Sequence, residues 1–184
     1  QWFGKLPLSS IDYFNADLVS LCPHKFHGPK GVGLLYCKSP LKPSPVILGG
    51  AHENDRRGGT ENLPAFVGLA EDVSLFVPSP VFPSSLSSLS GRLISAIDLL
   101  DGAVFFGDRL PSGRLFNTVS FSLDASDSIS LLGCLDLDGI CASSGSACAS
   151  GSVSPSHVVR ALGFGTSLSN SLIRFSLGRD SCSS

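Results

Sequence analysis

The chain has 184 residues, a formal net charge of −2, 42% apolar residues and only 15% charged ones. That composition supports a packed core, of one sizeable domain or one and a half smaller ones, and excludes wholesale disorder. No basic stripe points to nucleic acid, and no run reaches the ~18 apolar residues of a membrane span, so neither is expected as a partner. The chain opens at Gln1 and contains no Met, so a partial chain is expected and the lack of a visible signal peptide carries no weight.

In chain order, DLVSLC (17–22) and VGLLYC (32–37) read as buried strands separated by a Gly/Pro turn. SPLKPSPVILGG (39–50) reads as a loop leading into a short extended piece. NLPAFVGLAEDVSLF (62–76) reads as a helix, with Pro64 in the first turn, where a missing N–H costs little. The Pro/Ser-rich seam VPSPVFPSSLSSLSG (77–91) is the expected domain boundary, and LSSLSGRLISAIDLL after it has the apolar spacing of a helix. AVFFG (103–107) and FNTVSFSL (116–123) read as strands, and Asp127 caps a helix running to about Leu137. GICASS (139–144) reads as a strand entering a loop of small residues. SPSHVVRALG (154–163) reads as a helix with Ser154 as N-cap, Pro155 at its first position and Gly163 past its end. SLIRFSLG (171–178) is the final strand. Strands interleaved with helices predict an α/β fold with a largely parallel sheet first and a smaller α+β domain second.

Six cysteines (Cys22, Cys37, Cys134, Cys141, Cys148 and Cys182) form no CxxC pair and fit no zinc spacing. A disulfide framework is not expected in a buried α/β core; a reducing, intracellular setting is.

Four stretches can carry chemistry. Lys25, in HKFHGPKG, follows a strand; partly desolvated, its amine would be neutral and could attack carbonyls, or it is a surface lysine in a turn. In GGAHENDRRGGTENLPAFVG (49–68), two arginines and Thr60 ahead of a helix could hold a phosphate, or form a solvated turn with an ordinary cap. Cys148 sits among Ser, Gly and Ala, where it is poorly buried; near a cationic site it would be nucleophilic, and otherwise it is incidental. Arg174 lies inside the apolar strand LIRFSL and needs an anion, either a substrate carboxylate or a structural one.

Taken together and in order, PHKFHGPKGVGLLY, GGAHENDRRGGTENLPAFVG, FNTVSFSL, GICASSGSACASG, SHVVRALG and SLIRFSLGR resemble a cysteine desulfurase of the pyridoxal-phosphate-dependent class V aminotransferase family, the nitrogen-fixation and iron–sulfur-assembly type. The resemblance implies an α/β fold. Residues 1–80 would be the C-terminal part of the type I (aspartate aminotransferase-like) cofactor-binding large domain, and residues 81–184 the small α+β domain with the catalytic cysteine loop. It implies that Lys25 binds pyridoxal 5′-phosphate through its amine and that His24 and Cys22 lie by the cofactor, with Cys22 where the family usually has a phosphate-binding serine. Gln1 would bond the ring oxygen, and Thr60 would reach the cofactor phosphate of a neighbouring subunit in a homodimer. Arg174 would bind the carboxylate of L-cysteine. Cys148 would take the substrate sulfur as a persulfide, on a loop whose small residues let it swing, and pass it to an acceptor protein such as an iron–sulfur scaffold or a sulfur carrier.

Departures are also expected. Family members are roughly twice as long, and the half absent here supplies a histidine stacked on the ring, an aspartate on the ring nitrogen and a threonine on the phosphate. Pro23 precedes His24 where a small residue is usual. The isolated chain should expose strand edges and apolar faces and be insoluble or partner-dependent. A non-catalytic fragment and a selenocysteine lyase or other lyase of the same fold are the alternatives.

Overall fold

The computed structural model describes residues 3, 5, 6, 8–76, 85–145 and 155–182. The chain divides into two compact units, Gln1–Val81 and Phe82–Ser184.

In the first unit, β1 (Leu18–Leu21) and β2 (Leu34–Cys37) pair antiparallel, Leu18 opposite Cys37 and Leu21 opposite Leu34. The sequence led us to expect a largely parallel sheet. A parallel pair needs a long crossover, usually a helix. Residues 22–33 contain only the 3₁₀ turn Pro23–Lys25 and double back. Nor are these strands buried: Leu18 and Leu35 are 50% and 54% exposed, because a two-stranded sheet shields little of either face. The piece expected to be extended near residues 46–48 forms no strand. Helix α1 (Leu63–Phe76) starts where Asn62 Oδ1 accepts from Ala65 N at 3.3 Å, and it buries Ala65, Leu69 and Phe76 along one face.

The second unit is a three-stranded antiparallel sheet, ordered β3 (Ala103–Phe106), β4 (Thr118–Leu123), β5 (Leu172–Ser176). Here too the pairing is antiparallel, Val119 opposite Phe175 and Phe121 opposite Ile173. Helix α2 (Ser85–Ile97) buries Leu86, Ser90, Ile94 and Ile97, a helical repeat of one face. Ile94 and Ile97 join Val119, Phe121 and Ile173 in one core, with Leu131, Leu132 and Leu135 of α3 (Ser128–Leu137) packed against it. Asp127 caps α3 as the sequence predicts, accepting from Ser130 N at 2.9 Å.

Three local expectations are corrected. The strand expected at 139–144 reduces to one bridge, Ser143 with Arg174. Helix α4 is His157–Ala161, capped by Ser156, whose hydroxyl accepts from Val159 N at 3.4 Å; Pro155 therefore lies before the cap, and Ser154 lies outside the described residues. Gly163, at φ 90°, closes the end as predicted. A further helix, α5 (Thr166–Asn170), follows. Its small polar residues carry no helical pattern; Ser169 and Ser171 hydroxyls donate to the carbonyls of Gly165 and Ser167.

Among the described residues no helix is long and apolar enough to cross a membrane, and no group of three or more His, Cys, Asp or Glu side chains could hold a metal ion. Cys22, Cys37, Cys134, Cys141 and Cys182 are free thiols.

Ile173 is fully enclosed between β4 and the helices. Ile173→Ala is expected to lower the unfolding free energy of the full chain by about 2–5 kcal/mol, read from denaturant titration.

Candidate functional site

In the first unit, the turn after β1 is built on one carbonyl. Pro23 O accepts from Phe26 N at 2.8 Å and from Gly28 N at 3.0 Å, and Cys22 O accepts from Lys25 N at 3.2 Å. Pro23 and Phe26 are buried, and the Phe26 ring meets Phe3 at 5.3 Å. Two anchors facing in leave His24 and Lys25 facing out. Cys22 Sγ lies 3.0 Å from His24 Nδ1. Lys25 is thus exposed, not partly desolvated as the sequence suggested. A turn that bends away from the sheet carries its outward residues into solvent.

The desolvated lysine is Lys5, which the sequence reading missed. Burial, and then the charge of Lys25, hold its amine below the usual lysine range. No local pattern marked Lys5; only the fold brings it to Lys25. The two lysines form a cationic corner suited to an anion.

The stretch from 47 to 62 folds back on itself. Gly58 N donates to Ile47 O at 2.7 Å, and His52 bridges Arg57. A Cβ on Gly58 would lie 2.8 Å from Gly49 atoms, so the legs can touch only through glycine. The tip passes through left-handed Glu53, Asn54 and Asp55. His52 Nδ1 meets the Glu61 carboxylate at 3.0 Å. A bond from its own backbone, then His52, hold the Glu61 carboxyl below the usual range. Thr60 is exposed just before α1. The cap is Asn62, which leaves the Thr60 hydroxyl outside that role.

In the second unit, Arg174 exchanges backbone bonds with Ser143, N to O at 2.7 Å and O from N at 3.1 Å. Its Nη1 donates to Gly145 O at 3.1 Å, and its buried Nε has no hydrogen-bond partner among the described residues. Among the described residues no carboxylate pairs with it. Of the two alternatives for this arginine, a structural carboxylate is therefore not found among the described residues. Gln1 and Cys148 lie outside the described residues.

The chain matches the aminotransferase class-V family over residues 1–184 and belongs to it; its fold is that of the type I pyridoxal-phosphate enzymes. Among curated relatives it is 43% identical to "Cysteine desulfurase" of Rhodobacter capsulatus over 98% of this chain and 46% of that protein. It is 42% identical to "Cysteine desulfurase IscS" of Clostridium botulinum (strain Hall) over 97% of this chain and 45% of that protein. Of solved structures, a NifS-like protein superimposes with a TM-score of 0.83 at 31% identity, over 99% of this chain and 46% of that one. A NifS-like protein from Rickettsia africae does so with 0.81 at 27% identity, over 98% and 47%. The chain thus spans less than half the length of the relatives it matches.

Gly28 is wedged between the Asp72 carboxylate and the Pro23 side chain; an added Cβ would meet them at 1.8 and 2.6 Å. Gly28→Ala is expected to cost about 1–3 kcal/mol of stability by overpacking, measured by denaturant unfolding, and to displace the Lys25 turn.

Proposed function

We propose that the chain is the C-terminal portion of a pyridoxal-phosphate-dependent cysteine desulfurase, which takes sulfur from L-cysteine, leaves L-alanine and carries the sulfur as an enzyme persulfide for iron–sulfur cluster or thio-cofactor synthesis. On this reading residues 1–80 belong to the cofactor-binding domain and residues 81–184 to the small domain with the cysteine loop. The single observation that carries the reading is the cationic corner at Lys25. A lysine amine stands outward on a turn locked by two buried residues, with Lys5 as a second basic group acting on it. That donor set fits a phosphate-bearing aldehyde: an amine for the carbonyl and a second base for the phosphate.

Lys25 would hold the cofactor, with His24 and Cys22 beside it and Gln1 on the ring. When bound, pyridoxal phosphate supplies an electron sink for the substrate carbon. The Lys25 amine, when free, would be placed to move protons at the reacting carbon. Arg174 takes the substrate carboxylate; its guanidinium is bonded to a neutral carbonyl and has a spare Nε. The Cys148 thiolate attacks the substrate sulfur, an S–S bond forming as the C–S bond breaks with its electrons left on carbon. The persulfide is then delivered to an acceptor protein.

A homodimer fits the same reading. Thr60 is exposed to serve a partner's cofactor, and Val46 and Leu48 nearby are 93% and 80% exposed. The free thiols suit a reducing, cytoplasmic setting.

The test uses the complete protein, with its N-terminal half restored. Lys25→Ala should abolish the visible absorption of lysine-bound cofactor. Cys148→Ser should keep that absorption and stop sulfide release; normal turnover of cysteine by this variant would remove Cys148 as the nucleophile. Arg174→Ala should raise KM for cysteine about ten- to hundredfold with little change in cofactor binding.

A further inference from the structure

The loop of residues 47–62 carries three acids, Glu53, Asp55 and Glu61, and two arginines, Arg56 and Arg57. In a loop of such mixed charge a carboxylate is expected on a guanidinium, whose fork matches it and whose charge is permanent. Here the carboxylate goes to a histidine instead. His52 Nδ1 lies 3.0 Å from each oxygen of Glu61. A Cβ on Gly50 would stand 3.2 Å from His52 Cδ2 and Nε2, so that glycine makes room for the ring. Arg57 is tied to the same histidine by its backbone: the two form a bridge, and Arg57 N donates to His52 O at 3.4 Å. Among the described residues its guanidinium pairs with no carboxylate. It folds back along the chain, with Nη1 3.7 Å from where a Cβ on Gly59 would stand. Thr60, the next residue, is exposed. An unpaired guanidinium and an exposed threonine thus share one glycine as neighbour.

We propose that Arg57 is a phosphate-binding residue beside Thr60, and that His52 is a positioning residue that keeps the arginine available by occupying the Glu61 carboxylate. The proposal rests on reading Thr60 as a ligand to the cofactor phosphate of a neighbouring subunit. A phosphate monoester presents several charged acceptor oxygens, more than one hydroxyl can serve, and a guanidinium adds paired N–H donors and the charge a hydroxyl lacks. The chain is fastened on both sides of Gly59 and Thr60: Gly58 N donates to Ile47 O at 2.7 Å, and Glu61 is held by His52. The main chain of the threonine therefore has little freedom to lose when an anion binds. Glu61 is the rival to be kept away. It lies four residues from Arg57 and hangs from the histidine that Arg57 bridges. A bond from its own backbone, then His52, favour its ionised form. Unengaged, that carboxylate would compete with phosphate for the arginine; engaged by His52, it leaves the guanidinium open.

The experiment uses the complete protein, with its N-terminal half restored and its cofactor removed. Two probes are titrated by absorbance, pyridoxal phosphate and pyridoxal, which differ only in the phosphate. Arg57→Gln should weaken pyridoxal phosphate about ten- to hundredfold, the loss of a charge-assisted bond, and leave pyridoxal unchanged. Arg57→Lys, which keeps the charge, should recover part of the loss. An unchanged affinity for pyridoxal phosphate in Arg57→Gln overturns the proposal, and so does an equal loss for both probes, which marks a structural role. Thr60→Ala should show the same phosphate-selective loss. A loss there with none in Arg57→Gln rejects the arginine and leaves the threonine reading standing; the reverse upholds the arginine and rejects the threonine. His52→Phe keeps a ring and removes the donor. Freeing Glu61 should weaken pyridoxal phosphate about two- to fivefold, the worth of an exposed ion pair, and adding Glu61→Gln should restore the parent affinity. No loss in His52→Phe, or a loss that Glu61→Gln does not restore, overturns the role given to His52.

Discussion

The carbonyl of Pro23 is the point on which the candidate site turns. It accepts two backbone hydrogens at once, from Phe26 and Gly28, and so closes the chain into a loop too tight to bend elsewhere. Pro23 contributes no N–H of its own to satisfy and arrives with φ already set. Phe26 supplies the burial that keeps the turn seated. Everything assigned to Lys25 presumes this seat, because an amine on a mobile tether has no defined reach. Gly28 is the price of the geometry: the space where a Cβ would stand is taken by Asp72 and Pro23.

The second unit solves a different problem, that of holding an arginine inside an apolar strand. The backbone of Arg174 is committed on both sides, to Ser120 across β4 and to Ser143 across the lone bridge. Neighbours Ile173 and Phe175 join the core. The main chain thus fixes where the side chain starts, and the Nη1 bond to Gly145 O orders its guanidinium end, so less freedom is left to lose on meeting an anion. Placing charge on a rigid strand keeps its aim fixed, as a recognition group requires.

Local signals were legible where one residue decides an outcome. Asp127 and Gly163 mark helix ends, and Pro64 sits in a first helical turn, because capping and φ are short-range matters. The alternating apolar run of β4 was legible for the same reason. Strand direction was not: VGLLYC reads the same whichever way its partner runs, and the connection through residues 22–33 decided it. Helix α5 was missed because serine hydroxyls turned back on their own carbonyls leave no apolar stripe. In the candidate site, Lys25 and Arg174 stood out by motif and by contrast with their neighbours. Lys5 and Asp72 did not, since each owes its interest to burial beside a group far away in the chain.

The bond between Arg174 Nη1 and Gly145 O bears on affinity as well as on shape. A carboxylate reaching this guanidinium finds the Nε hydrogen unclaimed among the described residues and need not displace the Gly145 carbonyl, because the group carries five N–H donors. Its gain is then a charge-assisted bond to a donor that burial has left without water, added to a bond that already ties residue 145 to the strand. The arginine can in this way hold the chain at residue 145 and an anion together, so that occupancy and loop attachment support each other.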